Sequence, residues 1–149
     1  MVDSFTLDEK IENLSSCNNC GKIKYTYQRK DIHKFPKVLI IHIKRFKNGD
    51  EKNSEKIIYP EEIDLSKYNN KGDDGKYVLN SAVFHQGTLN SGHYTSIYKY
   101  SPTQQWIYCN DSKLKILNGK TTKIKGFNSI NDMVPSSFGD GYILFYRKI

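Results

Sequence analysis

The chain has 149 residues, 13% of them aromatic, and its 23 Lys and Arg residues against 16 Asp and Glu residues give a formal net charge of +7. This length and aromatic content exclude a disordered protein and predict one globular domain with a hydrophobic core. The basic residues are scattered, which indicates a solvated surface without nucleic acid as a partner, and no apolar run approaches the roughly 20 residues of a membrane span.

The N-terminal part of the chain is predicted to contain one helix and two strands. In "DSFTLDEKIENL", Ser4 can cap a short helix whose first turn is acidic and whose apolar residues recur at near-helical spacing. The stretch "KIKYTYQRKDIHKFP" alternates apolar and polar residues, which predicts a half-exposed strand. The β-branched run "KVLIIHIKRF" predicts a buried central strand with His42 as a core histidine.

The rest of the chain is predicted to be rich in strands. "KNGDEKNSEK" carries turn signals and predicts a surface loop of about ten residues. "IIYPEEIDLSKY" predicts a short strand and an extended passage that Pro60 interrupts. Short polar turns separate five further strand candidates: "KYVLNSAVFHQ", "HYTSIYKY", "WIYCN", "KLKIL" and "GYILFYRKI". A short helix is expected near Asn128 or Ser129. The expected fold class is α+β, a twisted and mainly antiparallel β-sheet with one or two short peripheral helices.

One hairpin of this meander brings a histidine near an asparagine. If "SPTQ" is a four-residue loop, Tyr100 pairs with Gln105, and the same register puts Thr95 opposite Asn110. His93 then lies one diagonal step from Asn110 on the same face, where side chains about 7–8 Å apart at the backbone can meet. An asparagine oxygen that accepts from one imidazole nitrogen leaves the other nitrogen free as a base. From geometry alone, an ordinary structural histidine remains the alternative.

Four runs, in this order, carry a resemblance to a known family: "FPKVLIIHIKRF" (35–46), "VFHQGTLNSGHYTS" (83–96), "WIYCNDS" (106–112) and "GYILFYRK" (141–148). Together they closely resemble the histidine-box half of the ubiquitin-specific proteases, a family of deubiquitinating enzymes. The resemblance covers nearly the whole chain. It implies the palm of a papain-like cysteine protease, cleavage after the C-terminal glycine of ubiquitin, and ubiquitin or ubiquitinated proteins as partners.

The resemblance also implies roles for individual residues. His93 matches the catalytic histidine, the general base that deprotonates a cysteine nucleophile; Asn110 matches the residue that orients it, and Asp111 a neighbouring acidic position. "QGTLNSG" and "KNGDEKNSEK" match two loops beside the narrow channel for the Gly-Gly tail of ubiquitin. Glycine suits such a loop because it permits close backbone approach, although Gly87 could serve a turn alone. Three residues match positions that border the channel: Gly92, Tyr94 and His85.

The sequence departs from the family at the nucleophile. The family supplies its thiolate from an N-terminal Gly- and Asn-rich turn that ends in Cys-Tyr, and no part of this sequence matches that turn. Cys109 directly precedes Asn110, so on a strand it points to the opposite face as a small buried hydrophobe. We therefore expect residues 1–149 to be the C-terminal part of a longer catalytic domain, the palm with part of the fingers, and to be inactive alone.

Cys17 and Cys20 form a C-x2-C-G pattern typical of half a zinc site. Structural zinc needs four ligands, and the resemblance implies that the partner pair of a zinc ribbon would lie earlier in the chain. Free cysteines or a vestigial ribbon are as compatible with the sequence as bound structural zinc, for which the site in this chain is incomplete, and no cofactor is expected for catalysis. The few cysteines and the lack of a signal peptide predict a reducing compartment, either cytoplasmic or nuclear.

Two other classes of function are alternatives to the protease. A non-catalytic ubiquitin-binding relative would keep the ubiquitin-facing surface but would have no need for both His93 and Asn110. A basic zinc-ribbon protein that binds nucleic acid would need a complete four-ligand site and clustered basic residues, and the sequence has neither. The protease is therefore the prediction, the binding module is its alternative, and no membrane partner is expected.

Overall fold

The structure is a computed structural model that describes residues 6–12, 19, 21, 25–46, 51–69, 71–117 and 139–149. The chain divides into two units, the first formed by Met1–Phe35 with Leu65–Gly75 and the second by Pro36–Asp64 with Lys76–Ile149. All candidate site residues that the structure describes belong to the second unit.

The first unit contains a two-stranded antiparallel sheet. Strand β1 (Glu9–Glu12) pairs with strand β2 (Tyr25–Gln28). Strand β2 confirms the strand predicted in "KIKYTYQRKDIHKFP". The helix predicted to begin near Ser4 is wrong for Glu9–Glu12, because pairing with β2 outweighs the weak helical preference of a short segment. Ser4 itself lies outside the described residues.

Polar hydrogen bonds organise the rest of the first unit. A 3₁₀ turn (Ser66–Tyr68) opens a loop that is closed where the Leu65 amide donates to the Gly75 carbonyl at 3.0 Å. The Gly75 amide in turn donates to Ser66 Oγ at 2.8 Å, and Asn69 Nδ2 donates to the Ile32 carbonyl at 2.8 Å. These side-chain bonds satisfy backbone groups that have no partner in a sheet or helix.

The second unit is built on a seven-stranded antiparallel sheet. Its strands lie in the order β3-β9-β5-β6-β7-β8, and the short β4 pairs with the start of β5. The five strands predicted after residue 75 are confirmed. The bounds are β3 (Val38–His42), β4 (Glu62–Asp64), β5 (Lys76–Gly87), β6 (Gly92–Tyr100), β7 (Gln105–Asn110), β8 (Lys113–Leu117) and β9 (Asp140–Lys148).

Helical structure is scarce in the part of the chain that the structure describes, where it is limited to Thr6 and the 3₁₀ turn Ser66–Tyr68. The mainly antiparallel sheet is therefore confirmed, whereas the α+β label and the peripheral helices are not. The second predicted helix, near Asn128 and Ser129, falls outside the described residues. No helix in the described ranges has the length and apolar character needed to cross a membrane.

Strand β3 is an edge strand and not the buried central strand that we predicted. Among the described strands it pairs with β9 alone, and its Val38 and Ile40 side chains are 52% and 59% exposed. His42, predicted as a core histidine, is also exposed, and its ring packs edge-on against Tyr142 with the centroids 4.9 Å apart. An apolar run cannot by itself distinguish a central strand from an edge strand, because strand order is a property of the whole sheet.

A β-bulge keeps both halves of β5 facing the same core. Tyr77 and Leu79 are buried at odd positions, whereas Ala82 and Phe84 are buried at even positions. The register between β5 and β9 shifts between Leu79 and Ser81, which leaves one extra residue on β5. Without this extra residue, strict alternation would turn Ala82 and Phe84 away from the core. His85, next in sequence, therefore lies on the sheet face opposite Phe84.

Buried tyrosine hydroxyl groups attach the sheet to two prolines. Tyr146 Oη donates to the Pro60 carbonyl at 2.7 Å, and Tyr77 Oη donates to the Pro36 carbonyl at 2.8 Å. Burial disfavours the charged phenolate, so it raises the pKa of Tyr77 and raises the pKa of Tyr146 to about 12. Both hydroxyl groups therefore stay protonated, and remain hydrogen-bond donors, to a higher pH than an exposed tyrosine does.

The free energy of unfolding should fall as the pH rises from 10 to 12. Because the pKa of Tyr146 is raised from 10.0 to about 12, its stabilisation is complete below pH 10 and is lost as the pH rises through 12. Tyr146 should contribute about 2 kcal/mol to this loss, which chemical denaturation below pH 10 and near pH 12 measures. Tyr146→Phe should lose less over this range, and an equal loss in both proteins would contradict this account.

Candidate active site

The candidate site lies where two hairpins of the second unit meet. Strands β5 and β6 are joined through Thr88–Ser91, and β6 begins with Gly92, His93 and Tyr94. The next strand along the sheet, β7, ends at Asn110. The start of β6 and the end of β7 are neighbours because the two strands are antiparallel.

The predicted register between β6 and β7 is confirmed. Tyr100 pairs with Gln105 around the loop 101–104, and the ladder continues to Ser96 opposite Cys109. Burial secures this register, because Trp106 on β7 is 3% exposed and a slip of one residue would turn it to the other face. The loop length and the buried Trp106 thus fix where Asn110 lies along β6.

His93 and Asn110 form the central contact of the site, with His93 Nε2 2.7 Å from Asn110 Oδ1. The predicted meeting of these two side chains is confirmed. Because an amide oxygen can only accept, Nε2 carries the hydrogen and Nδ1 keeps its lone pair. His93 is exposed and Asn110 is half-buried, so the pair presents an oriented, unprotonated nitrogen to an approaching acidic group such as a thiol.

Asp111 occupies the turn that follows Asn110. Its φ of 50° lies in the left-handed region, which aspartate adopts more readily than most residues. Across this turn Asn110 pairs with Lys113, the first residue of β8. Asp111 is exposed, and the structure shows it shaping the turn that ends β7 at Asn110.

Two glycines of the first hairpin are explained by different contacts. Gly87 has a φ of +110°, and a Cβ there would lie 2.5 Å from the Ser91 carbonyl oxygen, so the turn accounts for it. At Gly92 a Cβ would overlap His85 Nε2 and lie 3.0 Å from the Gln86 carbonyl oxygen. The residue before His93 is therefore glycine because the ring of His85 occupies the space of a side chain.

His85 is buried beneath three aromatic rings and is 2% exposed. Its ring centroid lies 4.7 Å from that of Tyr94, its partner across the β5–β6 ladder, 5.6 Å from that of Phe46 and 5.8 Å from that of Tyr142. Of the three residues matched to the channel border, Gly92 and Tyr94 are exposed, whereas His85 lies beneath them. Tyr94 lies on β6, Tyr142 on β9 and Phe46 in the segment that follows β3, and the sequence did not reveal that they meet.

Two charged residues beside His85, Lys52 and Asp140, were not among the site residues predicted from the sequence. Lys52 Nζ lies 2.8 Å from Asp140 Oδ2 and donates to the His85 carbonyl oxygen at 2.7 Å. Burial lowers the pKa of His85, the Lys52 charge lowers it further, and Asp140 acts in the opposite direction. Only the order of the strands brings these residues together, so no local pattern could have revealed them.

The cysteines give no nucleophile within the described residues. Cys109 is half-buried on β7, and strand alternation directs its side chain away from the face of Asn110 and His93. Cys17, Cys20 and part of the loop "KNGDEKNSEK" (47–50) lie outside the described residues. Across the described ranges, no group of three or more His, Cys, Asp and Glu side chains is arranged to hold a metal ion.

The fold is similar to solved structures of deubiquitinating modules. A SAGA DUB module that contains Ubp8, Sgf11, Sus1 and Sgf73 bound to monoubiquitin matches with a TM-score of 0.76 and 28% identity, over 98% of this chain and 31% of that chain. The same module bound to ubiquitin aldehyde matches with a TM-score of 0.75 and 26% identity, over 98% of this chain and 32% of that chain.

Curated relatives from fungi, plants and animals are similar along most of this chain. Ubiquitin carboxyl-terminal hydrolase 4 of Candida glabrata is 30% identical over 173 residues, which cover 100% of this chain and 18% of that protein. Ubiquitin carboxyl-terminal hydrolase 4 of Arabidopsis thaliana and ubiquitin carboxyl-terminal hydrolase 27 of Homo sapiens are each 30% identical over 89% of this chain. The chain spans 37% and 31% of their lengths.

The family model described as "Ubiquitin carboxyl-terminal hydrolase" matches residues 2–146. This match covers nearly the whole sequence, and it agrees with the curated relatives and with the similar solved structures. The resemblance that the four sequence runs indicated is thereby confirmed, and the chain belongs to the ubiquitin carboxyl-terminal hydrolase family.

Proposed function

We propose that this chain supplies the general base of a thiol-dependent deubiquitinase, with His93 as the base and Asn110 as the residue that orients it. The observation that carries the proposal is the 2.7 Å contact between His93 Nε2 and Asn110 Oδ1 at the exposed end of two strands. The similar DUB modules bound to monoubiquitin and to ubiquitin aldehyde support ubiquitin as the substrate.

The chemistry follows from the tautomer that Asn110 selects. Nδ1 of His93 takes the proton of a cysteine thiol, and the thiolate attacks the carbonyl carbon of the C-terminal glycine of ubiquitin. The imidazolium then returns the proton to the departing amine, and water hydrolyses the resulting thioester with His93 again as the base. Asn110 keeps Nε2–H directed at its oxygen through the cycle, so the ring does not need to reorient between steps.

The neighbours of the base suit an extended glycine tail. Gly92 and Tyr94 flank His93 and are exposed, and the Tyr94 side chain is backed by the buried ring of His85. The His85 ring fills the space of a side chain at Gly92, but Gly92 itself is exposed, so a tail without side chains can still approach its backbone closely. We propose that this surface accepts the C-terminal residues of ubiquitin next to the base.

In this proposal, the thiol does not come from Cys109, which lies on the other face of β7 from Asn110. Cys17 and Cys20 stand in the spacing of a metal-binding pair, which does not suit a nucleophile. Residues 1–149 by themselves should therefore fail to hydrolyse a ubiquitin reporter. A natural gene product that contains this sequence is the protein in which activity is to be measured.

Asn110→Ala should lower kcat about 100-fold, because the imidazole loses the acceptor that fixes its tautomer and direction. Asn110→Asp should keep kcat within about tenfold of the parent, since a carboxylate also accepts from Nε2–H. Hydrolysis of a ubiquitin C-terminal fluorogenic reporter measures both. Asn80→Ala changes an exposed asparagine in the first half of β5, at the register shift between Leu79 and Ser81, and serves as the control. Unchanged turnover in Asn110→Ala would contradict the proposal.

A non-catalytic ubiquitin-binding module is the second candidate. It is favoured by one observation, the absence within the described residues of a cysteine that faces His93. The two candidates differ in a direct measurement on the natural gene product. Binding of monoubiquitin without turnover of the reporter would establish the binding module, whereas turnover that depends on His93 would establish the hydrolase.

A further inference from the structure

The ion pair between Lys52 and Asp140 contacts the backbone of His85, whose ring neighbours Gly92 and Tyr94, but it has no part in the proposed mechanism. The Lys52 side chain is 10% exposed and that of Asp140 is 27% exposed. Lys52 Nζ contacts Asp140 Oδ2 at 2.8 Å and the His85 carbonyl oxygen at 2.7 Å. One ammonium group thus links the loop before β4, the start of β9 and the end of β5.

Arg45 binds the backbone next to each member of this ion pair. Its guanidinium group is buried, with Nε donating to the Gly141 carbonyl at 2.8 Å and Nη1 donating to the Asn53 carbonyl at 2.9 Å. Gly141 follows Asp140 and Asn53 follows Lys52. A planar, always charged group with several donors can fix two backbone segments at once, and here it fixes the two segments that carry the ion pair.

The His85 ring connects the ion pair to Gly92 and Tyr94, the two residues that flank the base. The charged groups that face it are Lys52 and Asp140, and its Nδ1 is buried without a hydrogen-bond partner in the described part of the chain. A protonated ring would therefore place an unsatisfied charge beside a second cation, which is costly in a buried site. The neutral ring packs against Tyr94 and fills the space that a side chain at Gly92 would occupy.

Resting on the proposed function, we propose that Lys52 is a positioning residue for hydrolysis that acts through His85. By tying the β5 backbone at His85 to Asp140, Lys52 holds the His85 ring in a fixed place and in its neutral form. That ring supports Gly92 and Tyr94, the residues on either side of the base. Lys52 thereby controls how the ubiquitin tail and the base are placed relative to each other.

The chain offers a matched control for the loss of an ion pair. Lys99 Nζ lies 2.8 Å from Glu61 Oε1, and the side chains are 20% and 50% exposed. Lys99 lies on β6, the strand that carries His93, but toward its far end, where it pairs with Trp106. Lys99→Met therefore removes a similar salt bridge from the same sheet without touching the surroundings of His85.

The experiment compares Lys52→Met, Lys52→Arg and Lys99→Met in the natural gene product that contains this sequence. Isotope labelling of the histidine rings allows the imidazole signals of His85 and His93 to be followed as a function of pH. The same samples give kcat and KM on a ubiquitin C-terminal reporter, and circular dichroism establishes that each variant is folded. The nuclear magnetic resonance measurement does not depend on catalytic turnover.

Lys52→Met should raise the pH midpoint of the His85 signals, shift the His93 signals and lower kcat/KM about tenfold, because small displacements near the base are costly. Lys52→Arg, which keeps the charge and the donors, should restore most of the activity. Lys99→Met should stay within about twofold of the parent, as expected for a pair of modest strength. The proposal is overturned if Lys52→Met matches Lys99→Met in both the His85 titration and kcat/KM.

Two outcomes separate this inference from the proposed function. If the parent protein binds ubiquitin without turnover, the hydrolase proposal fails, while the His85 and His93 signals still report whether Lys52 orders the ring. If Lys52→Met does not fold, Asp140→Asn replaces it, because the variant removes the carboxylate charge and keeps an acceptor. Unchanged His85 and His93 signals in a folded Asp140→Asn variant would then overturn the inference.

Discussion

Replacing His93 with alanine should lower kcat for hydrolysis of a ubiquitin reporter by about 1,000-fold or more, the upper range for loss of a general base. The reason is local. His93 is exposed, its Nε2 contacts Asn110 Oδ1 at 2.7 Å, and its Nδ1 is the nitrogen left to accept a proton. The affinity for monoubiquitin should change little, since the ring acts on the thiol and not on the body of ubiquitin. Steady-state kinetics and a binding titration measure the two effects separately.

His93→Gln distinguishes a base from a structural side chain. Glutamine can still donate a hydrogen bond to the Asn110 oxygen, but it has no nitrogen that accepts a proton at neutral pH. It should therefore be nearly as inactive as His93→Ala while its free energy of unfolding stays close to that of the parent. His33→Ala, at an exposed histidine in the first unit, should leave turnover unchanged. Substantial activity in His93→Gln would show that another group takes the proton.

The His93–Asn110 contact could be predicted because every step leading to it is local in the chain. A four-residue loop set the pairing of Tyr100 with Gln105, and the two-residue period of a strand carried that register to the site. The burial of Trp106 on β7 then secures the register. Where two neighbouring strands are joined by a short loop, sequence spacing is enough to determine which side chains meet.

The surroundings of His85 could not be predicted because they depend on the order of strands in the sheet. Phe46, Tyr94 and Tyr142 belong to segments that are far apart in sequence and meet only after β9 has paired with both β3 and β5. The same reason explains the error at β3, whose apolar run gave no indication that the strand lies at an edge. Strand order arises from pairings between distant segments, on which local patterns carry little information.

Gly92→Ala should lower the free energy of unfolding by about 1–3 kcal/mol, the usual cost of inserting a methyl group into a packed site. The new Cβ would overlap His85 Nε2 and would also lie 3.0 Å from the Gln86 carbonyl oxygen. The ring cannot easily move aside, because Tyr94, Phe46 and Tyr142 enclose it. Chemical denaturation measures the loss. The backbone φ at Gly92 is not positive, so steric overlap is the expected cause.

A double-mutant cycle with His85→Ala tests that cause. When the ring is removed, the added methyl group has room, and Gly92→Ala should cost at least about 1 kcal/mol less in the His85→Ala background than in the parent. Additive effects would show that Gly92 is needed for a reason other than the ring of His85. The double variant should also remain less active than the parent, because it lacks the His85 ring that supports Tyr94 beside the base. Removing the ring would then lower the cost of Gly92→Ala to stability without restoring activity, as expected if His85 positions Tyr94 in addition to filling space.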